Sequence, residues 1–212
     1  RFSQVETEGM LSNNTTGLFI ERFPVFLPAT EVPLMERLEV IEELIRDKRN
    51  KNLVRKSLLM GLNVNHDFRT GGAEKQGLKT LTDYVPKTYE EVNDYFRACL
   101  KLLLNVTENK EEEKEIGETI SSCARGYYLR GFDAFLFEAI SEFAPKFDYE
   151  WEELKEALSF MVKYDAPKRN NYRVDEIKEL QKKFTKDDYV YRLLHSDKIF
   201  DYEGELSFDE EH

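Results

Sequence analysis

Residues 65–77 read NHDFRTGGAEKQG and place side chains that could do chemistry among three glycines. His66 could ligate a metal or move a proton, Arg69 could bind an anion, and Glu74 could act as a base. Segments with helical periodicity flank the stretch on both sides. Loops held by a rigid scaffold often carry function, so the stretch is either a functional loop or a long connection between helices.

Metal chemistry is poorly supported by the residues available. The pair His66-Asp67 resembles the ligand pair of HD-type phosphohydrolases, which require another histidine upstream on a different helix. The chain has only two further histidines, His195 and His212, and both lie downstream. The two cysteines are widely separated and give no zinc-ligand spacing. We predict neither a metal site nor a cofactor.

Phosphate binding is the second hypothesis for the chemistry of this loop. Thr70, Gly71 and Gly72 could form a backbone nest for an anion, with Arg69 beside it. A P-loop, however, needs a lysine directly after its second glycine and a strand before its first. Here Leu78 separates Gly77 from Lys79, and no strand pattern precedes the loop.

Recognition of a partner is therefore the role that we predict for this loop. Its glycines suit turns with positive φ, and loops longer than about 12–15 residues without secondary structure are often functional. A nucleophile motif such as G-x-S-x-G is absent from the sequence. The alternative is a small-ligand-binding or enzymatic helical domain that uses His66, Arg69 and Glu74.

The elements around the loop show helical periodicity. Leu34, Leu38, Ile41 and Ile45 recur at spacings of four, three and four, which places them on one helix face. Further helices are predicted to follow up to residue 195. Five signals mark where these helices are predicted to begin or end. They are a capping box from Thr88 to Glu91, a stop at Gly131, an N-cap at Asp148, a stop near Pro167 and an N-cap at Thr185.

These helices group into pairs that begin near residues 33, 88, 131 and 174, and the last three starts are about 43 residues apart, a period typical of two-helix repeats. The predicted fold class is all-α, with paired antiparallel helices stacked as a short HEAT/armadillo-like solenoid. A compact irregular helical domain is the alternative. The predicted organisation is an irregular segment over 1–31, a repeat domain over 32–195 with an inserted loop over 63–87, and an acidic tail over 196–212.

Charge restricts the partners. The formal net charge is −11 and the pI is about 5.0, so phosphate-rich nucleic acid is an unfavourable partner. The one dense basic run, 46–56, is predicted to be a solvated helix corner. A nucleic-acid surface would need Arg46, Arg49, Arg55 and Lys56 to join Lys182, Lys183 and Lys186. The acidic tail is predicted to be a solvated, partly ordered end, and the alternative is a strap on a basic partner or on the corner near Arg49.

The cellular compartment can be predicted from hydropathy and from the use of cysteine. No apolar run approaches the length of a membrane span, so we predict no membrane partner. Cys99 and Cys123 each fall on the apolar face of a predicted helix, where a thiol acts as a small hydrophobe. Two such cysteines provide no disulfide framework, and we expect a cytoplasmic protein.

One aromatic pair is a further candidate for partner binding. Tyr149 and Trp151, the latter the only tryptophan, lie two residues apart at the start of a predicted helix. Residues two apart do not share a helix face, so one of the two rings is expected to be exposed. An exposed Tyr or Trp is a frequent anchor in protein interfaces.

Two stretches carry a resemblance to known proteins. LFIERFPVFLPATEVPLMERLEVIEELI and GGAEKQGLKTLTDYVPKTYEEVNDYFRACLKLL, which begin at residues 18 and 71, resemble helical-repeat regions of large bacterial STAND-type multidomain NTPases. The resemblance covers residues 18–104 and includes no catalytic motif, since a Walker A lysine and a Walker B strand are absent. It implies a sensor or scaffold segment beside a separate NTPase module, and the first residue, Arg1, fits an excised segment.

The sequence thus predicts a non-catalytic protein-interaction, scaffold or sensor segment. Its partner would be another protein or another domain of a parent chain.

Overall fold

The computed structural model describes residues 15–66, 75–76, 79–80, 82–142 and 151–184. The regular secondary structure in these ranges is helical apart from one antiparallel pair of two-residue strands, β1 at Lys75–Gln76 and β2 at Lys79–Thr80. The all-α prediction is confirmed. The helices are α1 Thr15–Ile20, α2 Leu34–Ile45, α3 Lys51–Leu62, α4 Tyr89–Val106, α5 Lys110–Arg130, α6 Asp133–Glu142, α7 Glu152–Phe160, α8 Ala166–Lys168 and α9 Val174–Phe184.

The helix ends predicted at Thr88 and Gly131 are confirmed. The Thr88 hydroxyl accepts a hydrogen bond from the Glu91 amide at 3.1 Å and caps α4. The Glu91 carboxylate reaches back to the amide of Lys87, one residue before the cap, at 2.9 Å. Gly131 ends α5 with φ +86°, and the Phe132 amide returns to the Tyr127 carbonyl at 2.8 Å. This is a Schellman arrangement, which requires a residue in the left-handed region.

Helices that are near one another in the chain pack together. Helix α3 packs on α4, α5 packs on both α6 and α7, and α7 packs on α9. The side chains between them form one continuous apolar core. Its largest fully buried members are Tyr95, Tyr127, Tyr128, Phe96, Phe135, Leu34, Ile41, Leu58, Leu62, Leu100, Leu103 and Ile116.

The segment before α2 corrects one prediction and confirms another. Residues 15–20 form a short helix within a segment predicted to be irregular. The chain from 21 to 33 is irregular, as Pro24 and Pro28 indicate, and it lies on the core through buried Phe23 and Val25. The Tyr95 hydroxyl of α4 donates to the Phe23 carbonyl at 2.6 Å.

The stop predicted near Pro167 is confirmed, because the helical run ends at Lys168, one residue after the proline. Helix α7 continues into a π-helical segment, Met161–Asp165, and then into α8, with Pro167 in the first turn of α8. The Ala166 amide bonds to the Met161 carbonyl, five residues back. A wider turn changes the position of the preceding carbonyls, which proline would otherwise displace, so Pro167 fits into the last turn before the helical run ends at Lys168.

The basic run is only partly solvated. Arg55 is buried, and its guanidinium donates to the Glu115 carboxylate at 2.5 Å and to the Thr107 hydroxyl at 3.0 Å. Lys51 pairs with Glu108 and Glu112 at 2.7 and 2.8 Å. Lys51 and Arg55 are therefore neutralised by the acidic residues at the start of α5. The solvated interpretation is wrong at Arg55, which is not available to a nucleic-acid surface.

No helix in the described ranges has both the length and the apolar character needed to cross a membrane.

Candidate protein-binding groove

An open groove of about 500 Å³ lies where the irregular N-terminal segment meets residues 83–89 and the end of α5. Apolar and aromatic groups make up most of its lining. Its residues are Val25, Phe26, Leu27, Asp83, Tyr84, Val85, Pro86, Lys87, Thr88, Tyr89, Val92, Arg130 and Phe132. Predominantly apolar concavities with a few polar groups are the usual form of binding sites.

Three aromatic rings form one wall of the groove. The Phe132 ring lies 5.7 Å from the Tyr89 ring and 6.3 Å from the Phe26 ring, measured between centroids. Gly131 permits this approach, because a Cβ there would lie 3.1 Å from Cε1 of Tyr89. Tyr89 is nevertheless 66% exposed, and Val85 beside it is 74% exposed. The groove therefore offers large apolar side chains that no other described part of the chain covers.

Two arginine side chains lie close to aromatic rings of the groove. The Arg130 guanidinium carbon lies 4.9 Å above the Phe26 ring, and that of Arg37 lies 5.8 Å from the Tyr84 ring. Arg37 is buried and donates to the carbonyls of Val32 and Pro24, both at 2.8 Å.

Arg37 adds positive charge to the base of the groove wall. Its Nη2 has no hydrogen-bond partner in the part of the chain that is described. Burial lowers the pKa of Arg37, although nearby Tyr95, Tyr84, Cys99 and Asp83 favour its charged form. An arginine remains charged at neutral pH even so, and Arg37 is therefore a buried cation beside the Tyr84 ring.

The backbone on one side of the groove is strained. Leu27 and Ala29 have φ of 50° and 51°, in the left-handed region that non-glycine residues rarely adopt. Asp83 accepts from the Ala29 amide at 2.7 Å, and Arg22 donates to the Ala29 carbonyl at 2.6 Å. Strained backbone persists where its surroundings hold it, and it concentrates at binding sites.

The other side is held by the cap of α4. The Tyr84 hydroxyl donates to the Glu91 carboxylate at 2.5 Å, and this hydrogen bond is the main reason that the pKa of Tyr84 is raised. The Tyr84 amide donates to the Thr30 carbonyl at 2.8 Å, which joins the two walls. A groove fixed on both sides needs little ordering when a partner binds.

The residues predicted for partner binding do not line this groove where they can be placed. His66 is half-buried in the turn after α3, and its amide donates to the Asn63 carbonyl at 3.3 Å. Arg69, Glu74 and Tyr149 lie outside the described residues. Trp151 is 6% exposed and precedes α7 as its N-cap residue, so it belongs to the core and is not an exposed anchor.

The end of the predicted inserted loop does take part. Residues 83–87 belong to the range 63–87 and form one edge of the groove. The part played by Phe26, Tyr89, Arg130 and Phe132 was not predicted. A usable signal was the cluster of Tyr84, Val85, Pro86 and Tyr89, which puts large apolar groups at a helix start, where exposure is common.

The cysteines are not nucleophiles in this fold. Burial raises the pKa of the Cys99 thiol to about 12 and also raises the pKa of Cys123. A thiol is reactive as the thiolate, so both remain neutral at physiological pH. Within the described ranges, no group of three or more His, Cys, Asp or Glu side chains is placed to hold a metal ion.

Comparison of the chain with known protein families, with curated protein sequences and with solved structures finds no match in any of the three.

Proposed function

We propose that this chain is a non-catalytic protein-interaction module and that the groove beside Tyr89 is its recognition surface. The observation that carries the proposal is the exposure of Val85 and Tyr89 on the rim of an apolar groove whose walls are both hydrogen-bonded in place. Exposed contiguous apolar surface of this kind marks interaction sites.

The groove suits a segment of a protein better than a small substrate. It is open along its length, and its wall is built from aromatic side chains and one proline. Aromatic-lined grooves bind extended peptide segments through apolar side chains. Arg130 and Lys87 at the rim favour a segment that also carries a carboxylate.

The helical-repeat arrangement is part of the same proposal. Helix pairs that pack on the pair before and the pair after are the pattern of a solenoid, in which each repeat contacts only its neighbours. With the resemblance over residues 18–104, this supports a HEAT/armadillo-like scaffold or sensor segment. Its partner would be another protein or another domain of a STAND-type parent chain.

The test compares the same substitution, valine to aspartate, at two exposed positions. Val85→Asp puts a charge on the groove rim, and Val40→Asp puts the same charge on α2, at a site that is also exposed, by 45%, and lies outside the groove. A partner is captured from a lysate of the source organism with the unsubstituted chain, identified, purified, and measured against each variant.

We expect Val85→Asp to weaken binding at least tenfold, about 1.4 kcal/mol, and Val40→Asp to leave the Kd unchanged. Unaltered circular dichroism and melting temperature establish that both variants fold. Equal affinities of the two variants would show that the partner binds elsewhere.

A further inference from the structure

A second exposed aromatic surface lies at the junction of α7 and the π-helical segment. Phe160 and Tyr164 are 48% and 45% exposed, and their ring centroids are 5.3 Å apart. The Arg125 guanidinium carbon lies 5.2 Å above Phe160, and the Lys163 ammonium lies 5.3 Å from the Tyr164 ring. We call these four residues the cation–aromatic patch.

A buried carboxylate holds the Arg125 side chain of the patch in place. Asp165 is buried and binds Arg125 through two hydrogen bonds of 2.8 and 3.0 Å, which fixes the guanidinium over the Phe160 ring. The π-helical turn places Tyr164 on the outside while Met161 and Asp165 face the core. Single π turns are frequent at functional sites.

The C-terminal part of the chain starts beside this patch. Gln181, in the last turn of α9, donates to the hydroxyl of Ser159 at 3.1 Å, and Ser159 is the neighbour of Phe160. That last turn also carries Lys182 and Lys183. Another 28 residues follow Phe184. A chain can span about 3.3 Å per residue, so residues 196–212 can reach the patch easily.

The composition of residues 196–212 complements the patch. The segment SDKIFDYEGELSFDEEH carries seven carboxylate side chains against one lysine. Three aromatic residues stand directly beside acids, in Phe200-Asp201, Tyr202-Glu203 and Phe208-Asp209. Such pairs supply an aromatic ring to pack on Phe160 and Tyr164 and a carboxylate to pair with Lys163 or Lys183, whereas Lys182 already pairs with Glu179 at 2.6 Å.

We propose that residues 197–211 bind the cation–aromatic patch of their own chain and cover it. The tether makes the binding intramolecular and gives a high effective concentration, so modest contacts suffice. This site differs from the basic corner near Arg49, where the Arg49 side chain already binds Asp47 at 2.6 Å. The proposal is independent of the groove, and either can fail without the other.

The test places a spin label on the segment and reads the amide signals of the folded part. A cysteine introduced as Ser207→Cys in the full chain is labelled with a nitroxide at neutral pH. Cys99 and Cys123 are buried with raised pKa values, so the introduced thiol is the one that reacts. We expect the amide signals of residues 159–165 to lose most of their intensity, and those of 35–40 on α2 to keep it.

Three controls define the outcome. About 0.5 M salt should restore the signals, because it shortens the range of charge interactions. Lys163→Glu combined with Tyr164→Ser should restore them too, whereas the charge-matched Lys48→Glu should not. Lack of selective loss at 159–165, equal restoration by Lys48→Glu, or loss that arises only between differently labelled copies would each overturn the proposal.

Discussion

Two buried aspartates each hold an arginine against an aromatic ring. Asp133 accepts from Arg173 at 2.6 Å, and the Arg173 guanidinium carbon lies 4.4 Å above the Phe137 ring. Asp165 holds Arg125 over Phe160 in the same manner. Each pair joins helices that are distant in sequence, so these residues fix how the C-terminal helices sit on α5 and α6.

Breaking the Asp165 pair should therefore destabilise the fold. Asp165→Asn keeps the size of the side chain and removes the charge that binds Arg125, whose pKa the Asp165 hydrogen bond raises. Asp165 is buried but Arg125 is partly exposed, so we expect a loss of about 1–3 kcal/mol in the free energy of unfolding. Urea denaturation measures it.

The matched control is Asp47→Asn, at an ion pair with Arg49 that lies in solvent. Exposed pairs contribute little, so no measurable change is expected there. Equal effects of the two substitutions would mean that burial does not decide the strength of these pairs.

At the scale of single residues, the candidate site could not be predicted from the sequence. The types of its residues are visible in the sequence, but Phe26, Tyr89 and Phe132 meet only through tertiary packing of three separate segments. His66 was a candidate site residue because its side chain is chemically versatile, yet the structure places it in the turn that follows α3. Side-chain chemistry alone does not indicate which groups converge.

At the scale of elements, local signals were sufficient where the interaction itself is local. Thr88 bonds to the amide three residues on, and Gly131 supplies a left-handed turn, so both helix ends were predictable. The π-helical turn before Pro167 was not predictable. The end of that helical run was predictable, because proline lacks a backbone donor and usually ends a helix, and the run ends at Lys168, one residue after Pro167.

The cap at Thr88 can be tested against a threonine in a helix interior. Thr88→Ala leaves an amide at the start of α4 without its partner, and we expect a loss of about 1 kcal/mol in the free energy of unfolding. Thr119 in α5 bonds instead to the carbonyl of Glu115, which is already part of the helix. Thr119→Ala should therefore be neutral or slightly stabilising, since alanine favours helices.

Thermal unfolding of the two variants provides the measurement. A fall in melting temperature confined to Thr88→Ala supports the cap. If Thr119→Ala lowered it as much, loss of the threonine methyl rather than the cap would be the cause.

At the scale of the whole molecule, the helix starts were predictable from periodicity, and the arrangement of the helices relative to one another was not. Starts near 88, 131 and 174 correspond to α4, α6 and α9, which begin at Tyr89, Asp133 and Val174. Whether successive pairs form a curved array depends on the angles between them, which no periodicity encodes.

The proposed repeat-like stack predicts that damage stays local. Ile177→Ala in α9 removes a fully buried side chain, at an expected cost of about 2–5 kcal/mol. Native-state hydrogen exchange should then accelerate in α9 and α7, while the amides of α2 and α3 keep their protection. Equal acceleration in α2 and α3 would identify a single cooperative unit instead.

The central claim is that the groove beside Tyr89 binds a protein, and site-specific photocrosslinking tests it most directly. A photoreactive phenylalanine analogue is placed at position 85, on the groove rim, or at position 40, on exposed α2, in the chain expressed in its native host. The account predicts a discrete crosslinked protein from position 85 and none from position 40. The same products from both positions, or no product from position 85, would contradict it.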